Sequence, residues 1–261
     1  MSHFLARFTF PEWYVCKNWD VSGHYRDRAI VLRTKPLGEA DRIITLFTRS
    51  NGTSDFVAKG IRRPKSRFGS SLEPFTVIDA FLYIGRGMDG VSQAEILASY
   101  GSRLVKSTES YIAANVIAET GRRLGIAGGS VQQFDLLHGA FSALSRGISS
   151  PEAICSSYLL RSMSAAGWRP ALENCAKCLL PLVEYTIDIS AGGLVCTSCS
   201  EHPVVNNKLC EYLLALREGD WPYINESDES LRGQARNFVF EYTQWHIDHP
   251  LKSLKIVAKS W

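Results

Sequence analysis

The spacing of apolar residues changes once along this chain of 261 residues, and that change constrains the fold more than any other feature. From Ala29 to Tyr100, short runs rich in β-branched residues are separated by turn-forming residues, which predicts β-strands. After Lys106, apolar residues recur every three to four positions, which predicts amphipathic helices. We therefore expect an α+β protein of several domains, with strands first and helices after them.

Five strands are predicted in the first part, with one long interruption between the third and the fourth. Asn51-Gly52, between the second and third runs, is a strong signal for a tight hairpin. Five short strands with one long connection predict a small Greek-key barrel over residues 25–105. The five runs are AIVLRT, RIITLFT, SDFVAKG, FTVIDAFLYIG and VSQAEILASY.

The second part is predicted to be one helical domain in two pieces, residues 106–172 and 202–261. Its first helix should close at Gly128 and Gly129. Ser150 and Pro151 predict the start of another helix, because serine is a good N-cap and proline fits the first helical position. Ser227 is expected to cap the last long helix, and Pro250 to stop it.

The helical domain is interrupted at residues 173–201 by two C-x-x-C pairs on either side of the strand-like run VEYTIDI. Four thiolates at this spacing predict a zinc ribbon with one structural zinc ion, a closed tetrahedral site without catalytic function. Redox thiols are the alternative. The remaining cysteines, Cys16, Cys155 and Cys210, are interpreted as unpaired thiols, the last two as small apolar fillers. The predicted ligands are Cys175, Cys178, Cys196 and Cys199.

The N-terminal residues 1–24 are expected to be an extension outside the fold. They lack the continuous apolar region of a secretory signal, since Arg7, Pro11 and Glu12 interrupt it. No apolar run approaches the roughly 20 residues that a membrane span needs. With paired cysteine spacing and no signal, the sequence favours a cytoplasmic protein with reduced thiols.

Positive charge is concentrated in the predicted barrel, where residues 24–103 contain 13 Lys and Arg against 8 Asp and Glu. The densest stretch is AKGIRRPKSRFGSS, which glycine and proline keep out of regular structure. It could be ordinary solvated surface, or it could follow a phosphate backbone, with Phe68, Phe75 or Tyr83 stacking on bases. The residues predicted to contact a nucleic acid are Lys59, Arg62, Arg63, Lys65 and Arg67, extended by Lys35, Arg42 and Arg86.

The motifs of common enzymes are missing or misplaced. Gly85, Gly87 and Gly90 spell G-x-G-x-x-G, but the run that follows them is predicted to be a strand, whereas a dinucleotide site needs a helix there. There is no P-loop, and no histidine begins H-x-E or H-E-x-x-H, which zinc deaminases and zinc proteases use. We therefore predict a protein that is not an enzyme.

Three segments together resemble the RecO family of bacterial DNA repair proteins. The match extends from about Tyr25 to Val257, and residues 1–23 have no counterpart in the family pattern. It is most specific in the opening Y-R-D-x-A-I-V-L-R, in K-G-x-R-R-P-K-S-R-F and in K-S-L near the end. The segments are HYRDRAIVLRTKPLGEADRIITLFTRSNG, AKGIRRPKSRFGSSLEPFTVIDAFLY and HPLKSLKIV.

The resemblance implies an OB-fold domain, a helical domain and, in many members, a zinc ribbon. It also implies a recombination mediator that binds single- and double-stranded DNA and anneals complementary strands. Such a protein engages the acidic, Phe-ending tail of the single-strand-binding protein SSB and, with RecR, helps to load RecA. The tail should bind the helical domain, where Arg122, Arg123 and Arg161 are candidates. In a bacterial cell the protein would be associated with the nucleoid.

Three other functions stay open from the residues alone. An RNA- or ribosome-associated OB-fold protein with a zinc ribbon would prefer structured RNA to single-stranded DNA. An adaptor would use the basic stretch to bind an acidic protein tail and would ignore DNA at low salt. A zinc hydrolase or deaminase acting on nucleic acid would depend on one His or Glu, and the sequence offers none in a suitable motif.

Overall fold

The computed structural model describes residues 23–125, 130–205 and 208–257, in which a barrel of strands is followed by a helical domain and a small hairpin. The strands are β1 (His24–Leu37), β2 (Asp41–Thr48), β3 (Gly52–Ala58), β4 (Thr76–Tyr83), β5 (Gly90–Ser99), β6 (Tyr185–Asp188) and β7 (Gly193–Cys196). The helices are α1 (Gly101–Leu104), α2 (Thr108–Leu124), α3 (Val131–Arg146), α4 (Pro151–Ala165), α5 (Lys208–Glu218), α6 (Trp221–Glu226), α7 (Glu229–His246) and α8 (Lys252–Val257).

The first five strands form the predicted OB-type barrel, in the order β1-β2-β3-β5-β4 with β4 paired back to β1. Strand β1 is long enough to pair with β4 through its first half and with β2 through its second, and a bulge between Val31 and Arg33 lies where the register shifts. Between β3 and β5 the closure is a single parallel pair, Val57 with Gly90. The interior is apolar, with Ile44 and Leu82 completely buried.

The glycine motif lies in the turn between β4 and β5. A side chain at Gly85 would collide with the carbonyl oxygen of Met88, and one at Gly90 would collide with the ring of Tyr83. These two glycines therefore permit a tight connection between antiparallel strands. Because a strand follows the motif, it lacks the helix N-terminus that holds the phosphates of a dinucleotide.

One of the two predicted helix caps is confirmed, and the other is displaced by one residue. The hydroxyl of Ser150 accepts a hydrogen bond from the backbone of Ala153 at 3.2 Å, with proline in the first turn, as predicted for α4. The predicted cap of α7 is wrong by one residue: the carboxylate of Asp228 accepts from the N–H of Leu231 at 2.8 Å, whereas Ser227 bonds back to Tyr223.

The helix ends differ more. Helix α7 ends at His246, before Pro250, because the chain leaves helical geometry at Ile247. Helix α2 ends at Leu124 with Gly125 as its C-cap, which is earlier than the predicted closure at Gly128 and Gly129, and those two glycines lie outside the described residues. Residues 1–22 of the predicted extension, with Cys16, also lie outside them. His24, which we placed in that extension, opens β1. Within the described ranges, no helix has the length and apolar character needed to cross a bilayer.

Barrel and helical domain share a packed boundary. Ile30, Leu32 and Phe47 are buried against the large core of the helical domain rather than in the barrel interior. Gly125, which ends α2, lies so close to Phe47 that an added Cβ would stand 2.7 Å from its ring. The end of α2 is therefore fixed on the outer face of β2 and β3.

Candidate nucleic-acid interface and cysteine cluster

Residues 59–75 connect β3 to β4 through a series of turns, which we call the basic loop. Two of its side chains reach into the barrel core: Phe68 is 4% exposed and Leu72 is completely buried. The hydroxyl of Ser71 donates to the carbonyl of Phe68 at 2.7 Å and closes one of the turns. Because buried side chains and local hydrogen bonds hold its second half, the basic loop has a defined backbone conformation on the surface of the barrel.

The start of the basic loop is attached to the turn between β1 and β2. The N–H of Gly60 donates to the carboxylate of Asp41 at 2.7 Å, and the N–H of Arg62 donates to the carbonyl of Ala40 at 2.9 Å. The guanidinium of Arg62 also donates to the carbonyl of Gly38 at 3.1 Å. These contacts place the first cations of the loop beside the end of β1, which carries Lys35, and the start of β2, which carries Arg42.

All five predicted cations of the basic loop are exposed, and within the described residues none of them forms an ion pair. The guanidinium of Arg67 lies 5.1 Å from the centre of the Phe68 ring, a cation–π contact that orients it. Lys59, Arg62, Arg63 and Lys65 project from the first half of the loop. Uncompensated cations at fixed positions are suited to binding a polyanion, because no internal salt bridge has to break first.

The three predicted extensions of this surface differ from one another. Lys35 is exposed on β1 without an ion pair among the described residues. Arg86 is exposed in the β4–β5 turn, which adjoins the end of β3 because the N–H of Val57 donates to the carbonyl of Asp89 at 2.9 Å. Arg42 is paired with Glu73 at 2.9 Å, so its charge is already compensated.

The aromatic residues proposed for base stacking are mostly unsuited to it. Phe68 and Phe75 are each 4% exposed, because Phe68 anchors the basic loop and Phe75 packs against Phe141 with ring centres 5.3 Å apart. Tyr83 is half-buried, with its ring beside His24. Both phenylalanines are therefore core residues, and a base could not reach them without local unfolding.

The structure instead offers Phe81 as a ring on which a base could stack, a candidate that sequence analysis missed. It is half-buried on β4 and lines a hollow of about 560 Å³ together with Arg67 of the basic loop and Arg26, Asp79 and Glu95. His24 stacks on it with ring centres 5.2 Å apart. The signal in the sequence was its alternation with the buried Ala80 and Leu82, which places Phe81 on the outer face of the strand.

The four predicted metal ligands converge. Their sulfur atoms all lie within 4.8 Å of one another, and the sulfur atoms of Cys178 and Cys196 are 3.7 Å apart. A tetrahedral metal with bonds of about 2.3 Å to sulfur separates its ligands by about 3.8 Å, whereas a disulfide needs about 2.05 Å. The cluster therefore fits a four-coordinate metal ion and does not fit a pair of disulfides.

The backbone supports ionised sulfur at this position. Burial opposes ionisation of Cys175, but the N–H groups of Cys178, Cys196 and Lys177 donate to its sulfur at 3.4 to 3.5 Å and lower its pKa to about 6. The ammonium of Lys177 bonds to the carboxylate of Asp188 at 3.0 Å and joins the first cysteine pair to the hairpin. Cys175 is thus prepared to act as a thiolate ligand.

The cysteine hairpin is attached to the helical domain by backbone and side-chain contacts. The N–H of Leu194 donates to the carbonyl of Ala171 at 2.9 Å. The hydroxyl of Tyr185 accepts from the N–H of Cys210 at 3.0 Å, at the start of α5. Leu194 and Tyr185 are buried in the helical core. The cysteine cluster therefore belongs to a hairpin whose inner face completes that core.

A groove of about 810 Å³ lies between α3 and α4 of the helical domain. Its floor is apolar, with Leu136, Ala140 and Ile154, and Trp221 lines it as well. Of the three arginines considered for the tail of a partner, only Arg161 lies here, and Arg146, which we had not considered, also lines the groove. Arg122 and Arg123 lie at the end of α2, against the barrel.

An OB barrel packed on a helical domain with a four-cysteine hairpin defines this chain as a two-domain OB-fold protein. Two family models match it in chain order, Recombination protein O N terminal over residues 22–100 and Recombination protein O C terminal over residues 107–255. The chain therefore belongs to the RecO family of DNA repair proteins. The chain is 40% identical over 240 residues to the DNA repair protein RecO of Thermobifida fusca (strain YX). The aligned region covers 90% of this chain and 99% of that relative. The resemblance inferred from the motifs is confirmed.

Proposed function

We propose that this protein binds single- and double-stranded DNA through its barrel, anneals complementary strands and helps to load RecA onto DNA coated with SSB. The observation that carries the proposal is the basic loop, with five exposed cations that have no ion-pair partner among the described residues. We assign the DNA contact to Lys59, Arg62, Arg63, Lys65 and Arg67, with Lys35 and Arg86 extending it. Arg42 would contribute less, since Glu73 neutralises it.

Annealing asks a protein to bring two polyanions together, not to make or break a covalent bond. Each strand repels the other, and cations held between them reduce that repulsion and release condensed counterions. Fixed cations do this without catalytic residues, so the protein is proposed to act as a mediator and not as an enzyme. Acting on chromosomal DNA, it would work at the nucleoid in the bacterial cytoplasm.

The metal is proposed to be one zinc ion. Four sulfur ligands that converge within 4.8 Å of one another are the donor set that zinc takes in closed structural sites. Cys175, Cys178, Cys196 and Cys199 would hold it and leave no open position for a substrate. Bound there, it would supply structural stability to a hairpin with two strands of only four residues each.

The groove between α3 and α4 is proposed to take the tail of SSB. A tail that is acidic and ends in phenylalanine needs an apolar floor and a nearby cation, and the groove offers Ile154 and Tyr158 beside Arg146 and Arg161. A labelled peptide with this chemistry should bind the wild type and lose affinity for Arg161→Ala, while DNA binding stays unchanged. RecR is proposed as a second partner on the strength of the family membership alone.

The DNA contact is tested by the fluorescence anisotropy of a labelled single strand of about 30 nucleotides. The titration compares the wild type with a variant in which Arg62, Arg63, Lys65 and Arg67 are alanine, at two or more salt concentrations. If these side chains contact four phosphates, the variant should lose about three units of the log–log salt slope, at roughly 0.7 per phosphate.

Arg232→Ala, which removes a charge from α7, serves as the control and should keep the wild-type slope. Equal affinity and slope in the wild type and the four-alanine variant would contradict the proposal. A stronger interaction with structured RNA than with single-stranded DNA would favour the RNA-binding alternative instead.

A further inference from the structure

The outer face of β1, β2 and β3 connects the helical domain to the basic loop. In an antiparallel sheet, residues directly opposite each other share a face. The pairing register places Arg33, Thr45 and Asp55 in one row across the three strands. The next row toward the loop begins with Lys35, two residues further along β1, so Arg33 and Lys35 project from the same face.

The end of α2 borders this face. Gly125 lies against Phe47 and Thr53, which form the row on the other side of Arg33. Arg122 and Arg123 occupy the last turn of the helix. Burial lowers the pKa of Arg122 most, the positive charges of Arg123 and Arg33 lower it further, and the carboxylates of Glu119 and Asp55 oppose the change, so Arg122 lies within the electric field of both other arginines and of two carboxylates.

Nothing within the described residues neutralises these three arginines by an ion pair. The two carboxylates whose charges reach Arg122 also accept hydrogen bonds from other groups. Glu119 accepts hydrogen bonds from the backbone of α8, and Asp55 accepts one from the hydroxyl of Thr45 at 2.5 Å. Basic residues in the last turn of a helix do complement its dipole, which could account for Arg122 and Arg123. It does not account for the third cation, Arg33 of the barrel, because three like charges brought together cost free energy that two hydrogen-bonded carboxylates offset only in part.

We propose that Arg33, Arg122 and Arg123 form a second phosphate-binding point, and that one DNA strand runs from the basic loop over Lys35 to this point. The inference rests on the proposed DNA contact of the basic loop and extends it to the boundary between the domains. From Leu37 to Arg33 the path covers about 13 Å along β1, at about 3.3 Å per residue. A strand bound by both the basic loop and the three arginines should therefore be longer than a strand bound by the loop alone. Its bound length should lie within the range of about 4–16 nucleotides that OB folds cover.

The test combines strand length with salt. Oligothymidines of about 5, 10, 20 and 30 nucleotides are titrated with the wild type and with the triple variant Arg33→Gln, Arg122→Gln and Arg123→Gln. With the longest strand the triple variant should lose about two units of salt slope, at roughly 0.7 for each of three phosphates. With the shortest strand, which the basic loop can bind alone, the two proteins should match.

Two further variants guard against a folding defect. The triple lysine variant at the same positions keeps the charge and should keep the wild-type slope. Arg33→Gln alone changes an exposed barrel residue and should lower the log–log salt slope by about 0.7 of a unit. Thermal melting of each variant identifies any loss of fold.

The outcomes separate this inference from the proposed function. Equal slopes and equal length dependence in the wild type and the folded glutamine variants would overturn the second point, while reduced binding by the four-alanine loop variant would leave the loop contact standing. If the loop variant binds like the wild type and the arginine variants lose slope, the arginines contact phosphates, but the loop assignment fails and the proposed path of the strand from the loop fails with it.

Discussion

Glu119 of α2 caps the N-terminus of α8 through Ser253. Its carboxylate accepts hydrogen bonds from the N–H of Ser253 at 2.8 Å and from the Ser253 hydroxyl at 2.6 Å, and the N–H of Lys252 donates to its other oxygen at 3.2 Å. The K-S-L segment that carried part of the family resemblance thus has a structural role. It attaches the last described helix to the helix that borders the barrel, with Leu251 completely buried beside it.

Replacing Glu119 by glutamine should lower the free energy of unfolding by about 2 kcal/mol, because hydrogen bonds to a charged group contribute about 1.5–3 kcal/mol. Burial raises the pKa of Glu119, but the bonds from Ser253 and Lys252 and the charge of Arg122 outweigh it, so the pKa is lowered on folding. A lowered carboxyl pKa stabilises the protein above the unfolded value of about 4.3 and loses that effect as the pH falls.

The difference in stability between wild type and Glu119→Gln should therefore be largest near neutral pH and disappear in acid. Thermal melting at several pH values measures it, and a loss of about 4–8 °C in Tm is expected at neutral pH. A difference that is the same at all pH values would show that the carboxylate charge is not what holds α8.

Replacing Cys175 by serine should release the metal and destabilise the hairpin. Cys175 is the one buried sulfur of the four and accepts three backbone hydrogen bonds, so its loss removes both a ligand and the organising acceptor of the site. Elemental analysis should find one metal ion per wild-type chain and a loss of that ion in the variant. Cys155→Ala is the matched control, since it removes a fully buried thiol away from the cluster and should keep the metal.

Replacing Gly193 by alanine should detach the hairpin from the helical domain. The new Cβ would collide with the carbonyl oxygen of Ala171 and stand 2.7 Å from its nitrogen, where β7 bonds to that residue. Gly192→Ala is a matched control, because Gly192 also has a positive φ, of 92°, but its Cβ would meet nothing within 4 Å. Protease sensitivity of residues 173–201 should increase much more for Gly193→Ala. Similar sensitivity in both variants would assign the effect to backbone strain alone.

The sequence predicted the parts of the fold that depend on local pattern. Alternation gave the five barrel strands, helical periodicity gave the long helices, and cysteine spacing gave the ligand set whose sulfur atoms converge. The short helices α1, α6 and α8 were missed, because four to six residues are too few to show a helical period.

Long-range contacts were the part that the sequence could not provide. Phe68 and Phe75 looked available for stacking because they lie near cations in the sequence, but the fold buries both side chains in hydrophobic cores. Arg42 looked like part of a basic track until the fold placed Glu73 beside it. The position of Arg33 opposite the end of α2 likewise depends on how the barrel packs against the helical domain, which no periodicity encodes.

Replacing Phe81 by alanine should weaken binding of single strands without changing the salt dependence. Its ring borders the hollow beside Arg67, so an unpaired base could stack there while the basic loop holds the phosphates. Stacking on an aromatic ring contributes about 1–3 kcal/mol per base, which corresponds to a loss of affinity of about 5- to 150-fold.

Phe81→Tyr keeps the ring and should bind like the wild type. Duplex DNA, whose bases are already stacked, should bind both variants equally well. An equal loss for duplex and single strand would show that the substitution disturbs the barrel rather than a base contact, and thermal melting would confirm that reading.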